Sequence, residues 1–556
     1  MNRRTVLGSL TGSFTAAAFS GVGAMAQPLK AAGPQTLFYE PWQFGARGDG
    51  KALDSPAINK AIDACTKAGG GIVYLRPGTY RSGTVELKSN VTLYVEAGAT
   101  ILGSLDLSDY TAMSGPPANG DANQKHLIYA RDQENVTLAG PGLIDGQGPH
   151  FWVPSGRAPL SEEDQWAEVA AHAWKKSPNG RPSPMLEFVG CRWLRVEGLR
   201  IENAAGWTMR PINCDNVLLH GLSIKNPNYG SNTDGMDITG CQNVFVSDCA
   251  IDTGDDGICL KSENPYGDEP RVGRNIVVTN CTITTCCNGF KLGTATQGGF
   301  ENITFSNSVI YNNSAAYKDR VISGVALEMV DGGWIDGVVV TGIRMQRTRT
   351  PIFIRLGNRS EKHKYAQNGV RNIKIADIEA TDALLASSIT GISGRIVENV
   401  SIDNVRVSNE LTPRPEWVGL KVPEKEDKYP EARMFGMLPA TGFYVRHARG
   451  IQLRNIEVRN PQGEMRPALM FDDAHDVTVD GLRTTPIVGE QPVIAMQDTT
   501  DVWVKNSAAP AGAASFVRVE GDESKNILIS GCDLRGAAKP VDAASDNAAI
   551  TLHNNI

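Results

Sequence analysis

Asn216-Val217-Leu218-Leu219 returns 27 residues later as Asn243-Val244-Phe245-Val246, then after 32 and 27 more as Asn275-Ile276-Val277-Val278 and Asn302-Ile303-Thr304-Phe305. Earlier copies stand at Asn90-Val91-Thr92-Leu93 and Asn135-Val136-Thr137-Leu138. Later ones begin at Asn372, Asn399, Asp476, Asp501 and Asn526, the last three 25 residues apart. Each phrase is a short run of strand formers opened by Asn or Asp, and a second short run usually follows, as in Ser247-Asp248-Cys249-Ala250-Ile251. The units are too short for βαβ crossovers. A period of 20–30 residues of short strands marks a solenoid, in which one coil cannot bury its apolar face alone but stacked coils share an interior. An Asn at the same place in each coil can hydrogen-bond its own turn and that of its neighbour. The expected fold is all-β, a single-stranded right-handed parallel β-helix over residues 38–556. A propeller or sandwich would need longer units or regularly spaced hairpin joints, and Asn-Gly pairs such as Asn179-Gly180 do not provide them.

Outward from the repeats, three segments break the rhythm. Residues 55–68 carry Ala57, Ile58, Ala61, Ile62 and Cys65 at helical spacing and end at Gly69-Gly70-Gly71, which predicts a helix capping the open N-terminal sheet. Residues 149–185 interrupt the coils, with a helix expected from Ser161-Glu162-Glu163-Asp164 through Trp174. Residues 411–440, rich in Pro and charge, are too long for an ordinary turn and are expected to lie over one face.

The 556 residues are 41% hydrophobic and 21% charged, a folding composition, with a net charge of −7 that argues against a general nucleic-acid binder. Arg3-Arg4, a weakly apolar run and Ala24-Met25-Ala26 read as a twin-arginine-type export signal over residues 1–26, followed by a linker at 27–37. Loss of the signal moves the net charge to −9, since it removes two arginines and no acid. The expected address is periplasmic or secreted, reached through the twin-arginine export machinery, with no membrane span after signal removal. The ten cysteines lack zinc spacing and read as small buried side chains, with one or two disulfides open.

Candidate chemistry is concentrated in Asn232-Thr233-Asp234-Gly235 and Gly254-Asp255-Asp256-Gly257. Asp234 precedes Asp255 and Asp256 by 21 and 22 residues, about one coil, so the three carboxylates should share one edge of the solenoid. Carboxylates so crowded repel, and at least one should keep its proton. A protonated acid beside ionised carboxylates can cleave a glycosidic bond, one group protonating the leaving oxygen and another activating water. Gly235, Gly254 and Gly257 are expected to leave room for a sugar. Calcium binding and ordinary Asp turns remain alternatives at this point.

These motifs resemble glycoside hydrolase family 28, the polygalacturonase family, over nearly the whole chain after the signal. Phe44-Gly45-Ala46-Arg47-Gly48-Asp49-Gly50, Pro77-Gly78-Thr79-Tyr80 and Gly140-Pro141-Gly142-Leu143-Ile144-Asp145-Gly146 are shared with other pectin-acting β-helices, whereas the two acidic motifs are the family's own. The resemblance implies an inverting hydrolase of pectic polysaccharides or oligosaccharides, without cofactor or metal. It implies Asp255 as general acid, with Asp234 and Asp256 holding the attacking water. Two motifs depart from the family. Cys287-Asn288-Gly289 stands where Gly-His-Gly is usual, and Val325-Ala326-Leu327-Glu328 replaces the Arg-Ile-Lys that grips a uronate. The pattern looks like the bacterial exo-acting and rhamnogalacturonan-directed branch. Candidates to bind substrate are therefore Asn232, Lys261, Asn288, Lys291, Glu328 and Arg355, with Arg359 as a further cation and Lys291 placed one coil on from Lys261. Trp207 is either a sugar platform or a core ring, and residues 411–440 could close one end of the cleft. A β-helical polysaccharide lyase and a non-catalytic carbohydrate-binding β-helix are the rival readings.

Overall fold

Leu194, Val217, Val244, Ile276, Ile303, Val338, Ile373, Val400, Ile451, Val477, Val502 and Ile527 pair one to the next across parallel strands, so each coil places one aliphatic side chain on the same interior row. All are essentially buried. The computed structural model describes residues 38–118, 125–360, 369–543 and 549–556. Among these, 39 strands link in one parallel network, wound as a right-handed β-helix with the aliphatic rows as its core. The export-signal and linker expectations, residues 1–37, lie outside the described residues. Among the described residues, no helix is long and apolar enough to cross a membrane.

The repeated Asn has a conformational cause. Asn90, Asn135, Asn216, Asn243, Asn275, Asn302, Asn372, Asn399 and Asn526 all have φ between 54° and 63°, the left-handed region that Asn tolerates better than other residues with a side chain. Gly337 and Gly450 take the same register position on two coils, at φ 79° and 68°. The side chains then bond along the solenoid. Asn275 donates to Asn243 at 3.0 Å, Asn302 to Asn275 at 3.2 Å, and Asn399 to Asn372 at 3.3 Å.

The capping helix spans Ser55–Lys67 and buries Ala57, Ile58, Ala61, Ile62 and Cys65. Asp54 at its start accepts the amides of Arg47 and Gly48 at 2.7 and 2.9 Å, which ties the opening glycine-rich motif to the cap. All ten cysteines are free thiols, nine of them buried. Several stack coil on coil: the amide of Cys191 lies 3.3 Å from Cys214 Sγ, and that of Cys214 lies 3.4 Å from Cys241 Sγ.

The 149–185 insertion differs from its expectation. It forms an antiparallel ribbon, Trp152–Pro154 against Trp174–Lys176, with two short 3-10 turns at Glu162–Ala167 and Ala170–Ala173 instead of an α-helix. The fully buried Arg349 explains this. Its guanidinium donates to the carbonyls of Trp166 (2.8 Å), Glu168 and Tyr317 (2.6 Å), claiming acceptors that an α-helix would use internally. Val169, Ala170 and Ala171 pack against Ile322, Phe353 and Tyr444.

Replacing Asn243 tests the ladder. Asn243→Ala combines a left-handed backbone penalty of about 1–2 kcal/mol with the loss of a hydrogen bond of about 1 kcal/mol. Asn243→Gly loses only the bond and some chain entropy. The expected outcome in denaturant titrations is a clearly smaller loss for Gly than for Ala; equal losses would refute the conformational cause.

Candidate active site

Stacking of adjacent coils joins the two acidic motifs. Gly235 N–H donates to the carbonyl of Asp256 at 2.8 Å, and Gly254 N–H donates to Thr233 Oγ1 at 3.1 Å. Met236 pairs with Ile258, so Asp234 stands one coil from Asp256, as the spacing predicts. The glycines serve the packing of the coils. A Cβ on Gly235 would lie 2.5 Å from the carbonyl oxygen of Gly257, one on Gly254 2.7 Å from that of Gly230, and one on Gly257 2.5 Å from Ile283 Cγ2. They permit the close approach of chain segments, and Gly254 also lines the cavity beside Asp255.

Of the three acids, Asp255 alone lines a cavity of about 550 Å³ beside the coils. Asp234 and Asp256 lie beneath, 4% and 3% exposed. Thr253 and Thr285 hydroxyls both donate to the Asp255 carbonyl, at 2.8 and 2.5 Å, and fix its backbone. Asp256 N–H donates to Asp255 Oδ1 at 2.9 Å.

Their surroundings split the acids. Burial, with Asp255, Asp237 and Asp256 nearby, pushes the Asp234 carboxyl well above the usual carboxylate range. Burial and Asp256 raise Asp255 in the same way. Burial acts upward on Asp256 too, but Lys291, Lys261 and a hydrogen bond from Asn288 outweigh it and hold that carboxyl below its ordinary value. Lys291 Nζ stands 3.0 Å from Asp256 Oδ2, and Asn288 Nδ2 donates to Oδ1 at 2.7 Å. One pair thus favours the proton and its neighbour favours the charge, as acid and base catalysis require.

The candidate binding residues divide into those that face the cavity and those already engaged. Asn232 and Asn288 line it. Lys261 does not: it is 7% exposed, and its ammonium lies 3.2 Å from Asp237, whose carboxyl burial pushes up to about 6 against the pull of that cation. Nor does Lys291 repeat the place of Lys261. It pairs with Cys259, two residues before Lys261, because the coil step here is 32 residues and the two lysines are only 30 apart. Lys291 also lies 3.5 Å from Glu328, a fully buried acid that burial pushes to about 7. Arg355 is corrected as a substrate ligand. It is 2% exposed and donates to the carbonyls of Gly391 (2.8 Å), Glu424 (2.8 Å) and Lys425 (3.2 Å), so it fastens the 411–440 segment to the coils. Arg359 is bound to Asp331 by two bonds of 2.9 and 2.6 Å. Trp207, half-buried and so not a core ring, covers the cations of Arg210 and Lys261 at 5.2 and 5.1 Å.

The two long breaks wall the cavity. Trp174 comes from the ribbon, and Tyr429 and Glu431 from the 411–440 segment, which lies over the site as expected. The Tyr429 ring sits 5.7 Å from Lys291 Nζ and 5.5 Å from the Arg359 guanidinium. Two participants escaped the sequence reading. Arg181 donates to the carbonyls of Ala205 (2.9 Å) and Ser231 (2.7 Å) and to Asn232 Oδ1 (3.2 Å), holding the turn before Asp234. Cys287 lies with its Sγ and the oxygens of Asp255 and Asp256 all within 4.8 Å of one another. Neither has a spacing signal, since both contacts are made across coils. Calcium does not suit this set, for a buried ammonium stands against Asp256 and one of the three donors is a thiol, whereas Ca²⁺ takes six to eight oxygens.

The chain is 24% identical over 384 residues to a probable polygalacturonase of Vitis vinifera, a match covering 66% of this chain and 73% of that protein. It is 24% identical over 479 residues to an exo-poly-alpha-D-galacturonosidase of Dickeya chrysanthemi, covering 80% and 74%. Its fold is similar to the crystal structure of a hyperthermoactive exopolygalacturonase from Thermotoga maritima, with a TM-score of 0.53 and 23% identity over 67% of this chain and 87% of that one. The model of Glycosyl hydrolases family 28 matches residues 78–417, a span that contains Asp234, Asp255, Asp256, Asn288 and Lys291, and the chain accordingly belongs to that family and is a glycoside hydrolase.

Proposed function

We propose that this hydrolase removes uronic acid residues from the ends of pectic poly- or oligosaccharides, with inversion at the anomeric carbon. The observation that carries the reading is the division of labour in the acid cluster. Asp255, raised and open to the cavity, is placed to give its proton to the glycosidic oxygen as the C1–O bond breaks. Asp256, held ionised by Lys291 and Asn288, takes a proton from the water that attacks C1 from the opposite face. Asp234, whose buried Oδ1 has no hydrogen-bond partner among the described residues, orients that water. The relatives named as acting on galacturonans support the substrate class. End-wise action is supported by the walls, since the ribbon and the 411–440 segment shape a cavity of about 550 Å³, a volume that suits a chain end better than the middle of a long polymer.

Asp255→Asn should lower turnover by several orders of magnitude while the fold survives, read from reducing-end release beside circular dichroism; near-normal activity would remove Asp255 from its role. Lys291→Gln takes away an attraction that lowers Asp256. The carboxyl then protonates at higher pH, and the acidic limb of the kcat/KM profile should move upward. A limb that stays in place means that another group supplies the base. Proton NMR in the first minutes of turnover should show the opposite anomer to the substrate, and chromatography should show monosaccharide from the outset without a ladder of intermediate oligomers.

A further inference from the structure

A substrate carboxylate entering the cavity finds the cations of the coil floor already engaged. Lys261 faces Asp237 at 3.2 Å, and Lys291 faces Asp256 at 3.0 Å and Glu328 at 3.5 Å. Arg181 donates to main-chain carbonyls and to Asn232. The cations of the floor are therefore committed to the protein's own acids and carbonyls, and Asp255 lies at the cavity surface. The opposite wall differs. Arg157 and Lys175, both exposed, line the same cavity as Asp255, and among the described residues their cationic groups face no acidic partner. Glu431, which lines the cavity beside them, has both carboxylate oxygens taken by Arg433.

The position of these two cations is built, not accidental. Lys175 pairs with Val153 in the ribbon. Ser155 N–H donates to the Ala173 carbonyl at 2.9 Å, closing the ribbon two residues before Arg157. Trp152 pins the ribbon to the coils through Nε1–H to the Ala205 carbonyl at 2.7 Å, and its ring meets Tyr229 edge-on at 6.0 Å. A guanidinium and an ammonium on a fixed wall, lining the same cavity as Asp255, suit a planar carboxylate on a sugar whose glycosidic oxygen points at Asp255.

We propose that Arg157 and Lys175 form the subsite that receives the carboxylate of a uronic acid residue of the substrate, so that specificity for an acidic sugar comes from the inserted ribbon and not from the coils. The inference rests on the pectic reading above and adds to it which residues recognise the acid. The test uses the full chain carrying Asp255→Asn, so that bound sugar is not turned over, and calorimetric titration with digalacturonate and with its methyl ester. Digalacturonate should bind about tenfold more tightly than the ester. With Arg157→Gln and Lys175→Gln added, that preference should vanish while affinity for the ester stays the same. A preference that survives the double substitution, or no preference in its absence, overturns the subsite; so does a failure of digalacturonate to bind. Turnover of oligogalacturonate by the chain with Asp255 intact separates the two readings. If no sugar is released although the binding pattern holds, the cleavage reading fails and the subsite stands. If sugar is released although the preference survives Arg157→Gln and Lys175→Gln, the subsite fails and the cleavage reading stands.

Discussion

The bond from Gly235 N–H to the Asp256 carbonyl is one rung of a parallel ladder, and the site depends on it. Parallel pairing sets neighbouring coils about 4.8 Å apart and fixes which residue lies above which. A slip of one residue would turn Asp234 away from Asp256 and set Thr233 or Gly235 in its place. The aliphatic rows forbid that slip, because the same register that aligns the acids also keeps Val244 over Val217 and Ile276 over Val244. Stability and chemistry are thus specified by one alignment. The glycines belong to the same constraint, since a Cβ at Gly235 or Gly257 would press the coils apart at the height where the acids meet.

Register alone would make an unstable cluster. Asp234, Asp237, Asp256 and Glu328 are all buried within a few strands, and buried charges are costly unless paired. The floor resolves this with two buried lysines and with protons. Lys261 answers Asp237 and Lys291 answers Asp256, while Asp234, Asp255 and Glu328 are pushed towards their neutral forms. The lysines that look like substrate ligands in the sequence are therefore counter-ions of the machinery. Both lower the proton affinity of Asp256.

Insertions then supply what the coils lack. Arg349 and Arg355 are the fasteners, each buried and each donating to main-chain carbonyls of a segment that lies outside the regular winding. An arginine suits this work, since its planar group presents several donors at once and keeps its charge under burial better than a lysine. Held this way, the ribbon and the 411–440 segment bring Trp174, Tyr429 and the cations of Arg157 and Lys175 to the cavity beside Asp255.

The solenoid, its capping helix and the proximity of Asp234 to Asp255 and Asp256 were legible in the chain, because periodicity and local conformational preference are written residue by residue: Asn where φ must be positive, aliphatics where side chains face inward. The role of Arg355, the offset of Lys291 from Lys261, the turns of 161–174 and the contributions of Arg181 and Cys287 were not. Each depends on a partner from a distant part of the chain. Arg349 bonds residues 166 and 168 from more than 180 positions away, and the 32-residue step of that coil sets Lys291 beside Cys259 and not Lys261. Spacing along one strand carries local geometry. Which buried charge meets which, and so which proton is held, is determined only when the coils and insertions close around them.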